Sequence, residues 1–239
     1  MAGPLLVTHN VSKHFGGFSA LNDVSLEVGP GERVGLIGPN GSGKTTLINI
    51  ITGTLPPNMG KIIFNDRDIS GLPAYRRARL GMARTFQIPK PFTSSTLLEN
   101  LTITMKFAPD AEGRDRDQES MQILRLIGIE SKAGMRPGEL NQIELRKLEL
   151  ARALALKPKI LFLDEVMAGL SSSEVDELLK VLELLNARGI AILMIEHIMR
   201  AVMSFCKRVV VLNTGEKIAE GTPPEILSNK EVEKAYLGE

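Results

Sequence analysis

Short apolar, β-branched runs punctuate the first third of the chain: LLVTHNV at 5–11, VSLEV at 24–28, RVGLIG at 33–38 and KIIF at 61–64. Turn-forming breaks at Gly16-Gly17, Gly29-Pro30-Gly31 and Asn58-Met59-Gly60 separate or follow them, so the runs predict strands. A helix is predicted over 44–52, directly after the third run. A short one is predicted over 72–81, where Pro73 suits the first turn and Gly81 the end. From about residue 88 to 149 the strand-like runs stop. STLLENLTITMKF (95–107) and ESMQILRLIGI (119–129) read as helices, with the charged stretch APDAEGRDRD between them as solvated surface. In LNQIELRKLELARAL (140–154) the second half reads as a packed helix, because Leu148, Ala151 and Leu154 recur beside Arg146, Lys147 and Arg152.

Strands return in ILFLDE (160–165), IAILMIEH (190–197) and RVVVLN (208–213). These runs are apolar throughout, the mark of parallel strands buried on both faces. Between the first two, SSSEVDELLKVLELLNARG opens with serine caps and an early glutamate and stops near Gly189, which predicts a helix. The pattern as a whole predicts one α/β lobe with a helical insertion between Gln87 and about Leu150.

The chain has 239 residues, enough for one large domain or one with a sizeable insertion. Its 43% hydrophobic and 24% charged residues make an ordinary soluble composition, and a net charge of +1 argues against a general nucleic-acid binder. No apolar run approaches the roughly 18 residues a spanning helix needs. MAGPLLVTHN lacks the basic start and apolar core of a signal peptide. Cys206 is the single cysteine, so no internal disulfide forms; it reads as a small buried side chain in a cytosolic protein. No Cys or His pair has zinc-like spacing.

Candidate chemistry begins at GPNGSGKT (38–45), which matches G-x-x-x-x-G-K-[ST] between a predicted strand and a predicted helix. Gly38, Gly41 and Gly43, with Pro39, Asn40 and Ser42, make a loop whose N–H groups converge on phosphate, and the helix N-terminus adds favourable partial charge. Lys44 is expected on the β- and γ-phosphates and Thr45 on Mg²⁺. In ILFLDE the buried strand ends at Asp164, a magnesium-side carboxylate, and Glu165, which is placed to polarise the attacking water. Gln87 closes ARTFQ and His197 closes ILMIEH. Strand ends of a parallel sheet share one edge, where ligands bind, so His197 reads as functional rather than structural.

With these residues assembled, the chain resembles the ATP-binding subunit of an ABC transporter over essentially its whole length. The order carries the resemblance: GPNGSGKTT, then Gln87, a helical insertion, ARALALKPKILFLDE, MAGLS and His197. FGGFSALNDVSLEV, ARTFQ, FLDEVMAGL and the closing AYLGE are most similar to the branched-chain amino acid uptake group. Urea-uptake and lipopolysaccharide-export cassettes are near relatives. The resemblance implies an α/β fold: a P-loop NTPase (RecA-like) lobe with an antiparallel β subdomain and an inserted α-helical subdomain. It implies a single ABC ATPase domain over 1–239, with 1–87 and 150–239 as the nucleotide-binding lobe and 88–149 as the helical subdomain.

It further implies that Phe15 stacks on adenine, the residue's other reading being a core aromatic. Thr46 joins the phosphate loop. Gln87 senses Mg²⁺ and γ-phosphate, and His197 is the switch histidine on γ-phosphate. AGLS (168–171) crosses to the other ATP site, with Ser171 where an acidic or amide residue is common. Pro89, Pro91 and Phe92 fall where a cytoplasmic helix of the membrane subunit docks; an apolar core turn is the other reading. Implied partners are a second cassette, transmembrane permease subunits and, indirectly, an extracytoplasmic solute-binding protein. The expected place is the cytoplasmic face of the membrane.

LNQIE (140–144) stands where the family has LSGGQ, whose serine and glycines clasp the partner chain's γ-phosphate. Asn141 still caps a helix and can donate to phosphate, and Glu144 can accept from a ribose hydroxyl. Gln142 and Ile143 replace the glycines, and Ile143 is expected to bring a stiff branched side chain to the contact. Losing two hydrogen bonds to a charged group would cost roughly 3–6 kcal/mol. The expectation is therefore a heterodimer with one consensus and one degenerate site, favoured over a homodimer; a local variant that keeps the clasp through backbone and Asn141 is the alternative. Beside a transporter motor stand a soluble regulatory or nucleic-acid-associated ABC ATPase and a non-hydrolysing clamp. The single cassette and near-neutral charge argue against the first, and Glu165 with His197 against the second.

Overall fold

The computed structural model describes residues 3–86, 88–109 and 115–237. Two sheets stack around the segment that follows the third strand. Strands β1 (Leu6–Phe15), β2 (Phe18–Val28), β4 (Met59–Phe64) and β5 (Arg67–Asp68) form an antiparallel sheet in the order β2-β1-β4-β5. The second sheet contains β3 (Arg33–Ile37), β6 (Met82–Arg84), β7 (Ile160–Asp164), β8 (Ala191–Ile195), β9 (Arg208–Asn213) and β10 (Glu216–Gly221). Its order is β10-β9-β3-β8-β7-β6, parallel except for the β9–β10 hairpin. The apolar runs predicted as parallel strands are its buried centre.

Alternation along these strands divides the core. Leu36, Phe162, Leu193 and Val210 face helix α1 (Lys44–Ile51) and the antiparallel sheet. Leu161, Leu163, Ile192, Met194 and Val211 face the other way, onto α5 (Gln142–Ala155), α6 (Ser172–Asn186) and α7 (Met199–Phe205). The short α2 (Ala74–Arg79) places Arg77 in the core, 1% exposed. Its guanidinium donates to the carbonyls of Ile50 and Ile51 at 2.7 Å, Leu72 at 2.8 Å and Ser70 at 2.9 Å, satisfying the C-terminal end of α1.

Helices α3 (Leu97–Met105), α4 (Arg116–Leu126) and α5 pack on one another, with Leu97, Leu101, Leu124 and Leu148 buried between them. A capping box between Thr96 and Glu99 starts α3. The chain finishes in α8 (Pro223–Leu227) and α9 (Lys230–Leu237), both against β10. Among the described residues, no helix is long and apolar enough to cross a membrane.

Candidate nucleotide-hydrolysis site

The parallel sheet delivers β3, β6, β7 and β8 to one edge, and the site is built from their ends. After β3 the chain turns through residues 38–43 into α1. Two positions there require glycine. Gly38 has φ +146°, and a Cβ would lie 2.0 Å from the Leu212 carbonyl oxygen; Gly43 has φ +101°, and a Cβ would lie 2.7 Å from the Ala20 oxygen. Lys44 folds back over this loop. Its Nζ donates to the carbonyls of Gly38 at 2.8 Å and Pro39 at 2.9 Å, and reaches Ser42 Oγ at 3.4 Å. Burial pulls the Lys44 ammonium below the ordinary lysine value, while Glu165 and Asp164 oppose the shift. The result is a desolvated cation resting on carbonyls that phosphate oxygens can outbid.

Strands β7 and β8 run in register with Asp164 beside Ile195, so Glu165, Glu196 and His197 leave the sheet together. Asp164 is buried, and its Oδ2 accepts from Arg84 Nη2 at 2.6 Å. Glu165 sits at φ +49°, a left-handed conformation that costs a non-glycine residue roughly 1–2 kcal/mol. Its N–H donates to the Ile195 carbonyl at 2.9 Å, which holds the bend. Its Oε1 lies 2.8 Å from His197 Nε2. Glu196 is 3% exposed and accepts from the Met167 N–H at 2.9 Å. Burial pushes its carboxyl up to about 7, the Met167 hydrogen bond opposing and the nearby Glu165 charge adding to the rise.

A cleft of about 340 Å³ runs along residues 40–46, with Phe15, Phe18 and Ala20 on one wall and Glu165 and His197 on the other. Phe15 is 48% exposed, so it is no core aromatic. Asn40, Gly41, Ser42, Thr45 and Thr46 line the floor, and Pro39 contributes its carbonyl behind it. Gln87 lies outside the described residues; β6 itself ends three residues earlier, at Arg84. Thr45 and Asp164 offer hard oxygen donors. Among the described residues, no cluster of three or more His, Cys, Asp or Glu groups could hold a metal by itself. That donor set fits a cation that takes most of its ligands from water and phosphate, as magnesium does.

Asn141 and Glu144 do not line this cleft; they close the start of α5 on themselves. Asn141 Oδ1 accepts from the Glu144 N–H at 3.0 Å, and Glu144 Oε2 from the Asn141 N–H at 3.1 Å. A 2.6 Å ion pair with Lys132 holds the Glu144 carboxyl below its usual range. Ile143 is 6% exposed. The expectation that its branched side chain obstructs the contact is corrected: the helix turns it into the core and leaves Gln142 on the surface. Ser171 caps α6, its Oγ accepting from the Glu174 N–H.

The segment after Gln87 is likewise no core turn. Ile88 is 72% and Phe92 39% exposed. Phe92 walls a groove of about 470 Å³ with Tyr75, Phe107 and Arg152. The buried Glu149 on α5 accepts from the Lys90 N–H at 3.0 Å, and Arg152 donates to the Lys90 carbonyl at 2.7 Å.

Phe18, Arg84 and Glu196 are neighbours of the site that sequence reading missed. A second aromatic three residues after Phe15 was the available signal for Phe18. Arg84 was in view within ARTFQ, and Glu196 beside His197, but neither has a spacing that separates it from an ordinary strand residue.

Comparison with known proteins places this geometry. Residues 21–168 match the family model for ABC transporters, and 216–239 that for branched-chain amino acid ATP-binding cassette transporters. The high-affinity branched-chain amino acid transport ATP-binding protein LivG of Escherichia coli (strain K12) is 39% identical, with 100% of both chains covered. The lipopolysaccharide export system ATP-binding protein LptB of the same organism is 36% identical over 98% of this chain and 97% of its own. The crystal structure of a nucleotide-free ATP-binding cassette from an ABC transporter superposes with a TM-score of 0.90 at 32% identity, covering 99% of this chain and 100% of that one.

Proposed function

We propose, from the premise that this chain belongs to the ATP-binding cassettes of ABC transporters, that it energises uptake of branched-chain amino acids. Cassettes of this family bind and hydrolyse ATP to power transport, and they work as pairs beside transmembrane permeases. What supports the solute class is the C-terminal match to the branched-chain group together with the full-length similarity to LivG. The similarity to an export cassette means that direction rests on that C-terminal match. The chain acts at the cytoplasmic face of the membrane. A solute-binding protein outside delivers the amino acid, and the groove at Tyr75, Phe92 and Phe107 receives a permease segment.

The residues take these parts. Phe15 stacks on the adenine. The N–H groups of residues 40–46 surround the phosphates, and Lys44 leaves the carbonyls of Gly38 and Pro39 to meet them. Glu165 takes a proton from the attacking water, and the strained bend that carries it aims its carboxylate into the cleft. His197, 2.8 Å from Glu165, would contact the terminal phosphate of bound nucleotide. Thr45, Asp164 and Gln87 would hold Mg²⁺, which when bound would neutralise phosphate charge.

Helices α3, α4 and α5 form the arm that carries LNQIE towards a second cassette, where Asn141 and Glu144 meet that partner's nucleotide. The clasp lacks both glycines, and its two polar residues are engaged with each other. The favoured assembly is thus a heterodimer in which this chain's own ATP is hydrolysed and its partner's is held more weakly. The observation that carries the functional reading is the Glu165–His197 pair facing Lys44 across one cleft. The test is accumulation of radiolabelled leucine, isoleucine and valine in vesicles bearing the reconstituted transporter. Uptake that Glu165→Gln abolishes is expected; uptake of urea instead, or outward movement of a lipid, would overturn the solute class.

A further inference from the structure

Arg84 is the last residue of β6 and pairs with Phe162, two residues before Asp164 on β7. Its side chain crosses the sheet edge beneath the cleft and is only 12% exposed. Both terminal nitrogens are used. Nη2 donates to Asp164 Oδ2 at 2.6 Å, and Nη1 donates to Asn49 Oδ1 at 2.5 Å. Asn49 lies four residues after Thr45 on α1, and so on the same helix face. One guanidinium therefore ties the helix that carries Thr45 to the strand that carries Asp164. The Phe86 ring, 5.3 Å from the guanidinium carbon, covers it.

The bond to Asp164 uses one carboxylate oxygen. The other, Oδ1, has no hydrogen-bond partner among the described residues. Asp164 also shares the strand ends with Glu165, which lines the cleft, so two carboxylates stand beside the place where a polyanion must bind. A fixed guanidinium answers both conditions: it offsets charge and sets the rotamer of the acid. Lysine would supply a charge at one point but not a fork across two elements.

We propose that Arg84 is a positioning residue that presents Asp164 to the magnesium of bound nucleotide and sets the protein's metal affinity. This rests on the reading that Asp164 stands on the magnesium side of the site. Residues behind a metal ligand typically change metal affinity by about tenfold to a hundredfold when removed.

The test uses the full chain and a fluorescent N-methylanthraniloyl ATP, titrated with Mg²⁺ and, separately, in EDTA. Arg84→Met is expected to raise the Mg²⁺ concentration for the half-maximal signal by at least about tenfold, with the affinity in EDTA unchanged. Arg84→Lys should fall between Arg84→Met and wild type. An unchanged Mg²⁺ requirement, or equal loss of affinity with and without Mg²⁺, would overturn the proposal. A lower requirement would also overturn it, because Arg84 would then be a competitor of the metal. A wild-type chain indifferent to Mg²⁺ would remove the reading beneath the proposal and the proposal with it. Should Arg84→Met fail to fold by circular dichroism, Asn49→Ala, which removes only the brace on Nη1, is expected to raise the Mg²⁺ requirement by a smaller factor; no rise overturns the proposal.

Discussion

The two missing glycines of the signature make separable predictions, because the helix that starts there points Gln142 out and Ile143 in. Ile143 is 6% exposed in the first turn of α5. Replacing it with glycine forfeits about 1.5–3 kcal/mol of apolar transfer. It also leaves a cavity and adds backbone freedom to a helix, so the total should reach about 3–5 kcal/mol. In a chain this long each kcal/mol lowers Tm by about 2–4 °C, so Ile143→Gly should melt roughly 6–20 °C below wild type. Gln142→Gly removes an exposed side chain at the first helical position and costs no more than about 1 kcal/mol. In the proposed dimer its benefit lies at the contact, where backbone can then approach the partner's phosphate. The assay is thermal melting of each variant alone, followed by ATP turnover when mixed with a second cassette. Gln142→Gly should melt near wild type and raise turnover; Ile143→Gly should melt early. An Ile143→Gly variant that melts with wild type and is the faster of the two would refute the reasoning.

Three other outcomes follow from the geometry. Glu196 has a folded pKa of about 7 against an ordinary 4.5, so its contribution to stability is full below 4.5 and drains away as pH rises through 7. Glu196→Gln should therefore stabilise by up to about 3 kcal/mol at pH 8 and by nothing at pH 4.5 in urea titrations; an equal gain at both would contradict the buried-carboxylate account. Arg77→Met should lose about 3–5 kcal/mol, because four carbonyls lose their donors in the interior, and a shift in denaturation midpoint worth under about 1 kcal/mol would show that the end of α1 is satisfied otherwise. Burial pushes the Cys206 thiol up to about 12, so a thiol reagent at pH 8 should label it only as fast as the chain unfolds; prompt labelling of the folded chain would contradict its burial.

The parts of the fold most legible in sequence are those where one physical demand dominates. ILFLD, AILMI and RVVVLN must be buried on both faces, and no helix pattern competes with them. GPNGSGKT announces itself because Gly38 and Gly43 stand where any Cβ would collide. Strand β10 was not legible: EKIAEG is polar and half-exposed, and its place is set by pairing to β9. Helices α7, α8 and α9 are five to eight residues long, too short for a period to emerge. At the site, Glu165 and His197 could be placed by strand ends, but the 2.8 Å contact between them depends on the β7–β8 register. The direction of Ile143 depends on where α5 begins, and a shift of one residue would have reversed it with Gln142. Arg84 shows the same limit, since its two partners are 35 and 80 residues away in the chain.

The most direct test of the account is ATP turnover by the purified chain, with Glu165→Gln as the blank, alone and then with a second cassette whose signature keeps its glycines. The account predicts little turnover alone, because every nucleotide would face LNQIE, and Glu165-dependent turnover in the mixture, where this chain's nucleotide meets an intact clasp. Rapid Glu165-dependent hydrolysis by the chain alone would contradict it, and would mean that a signature without glycine still closes on phosphate.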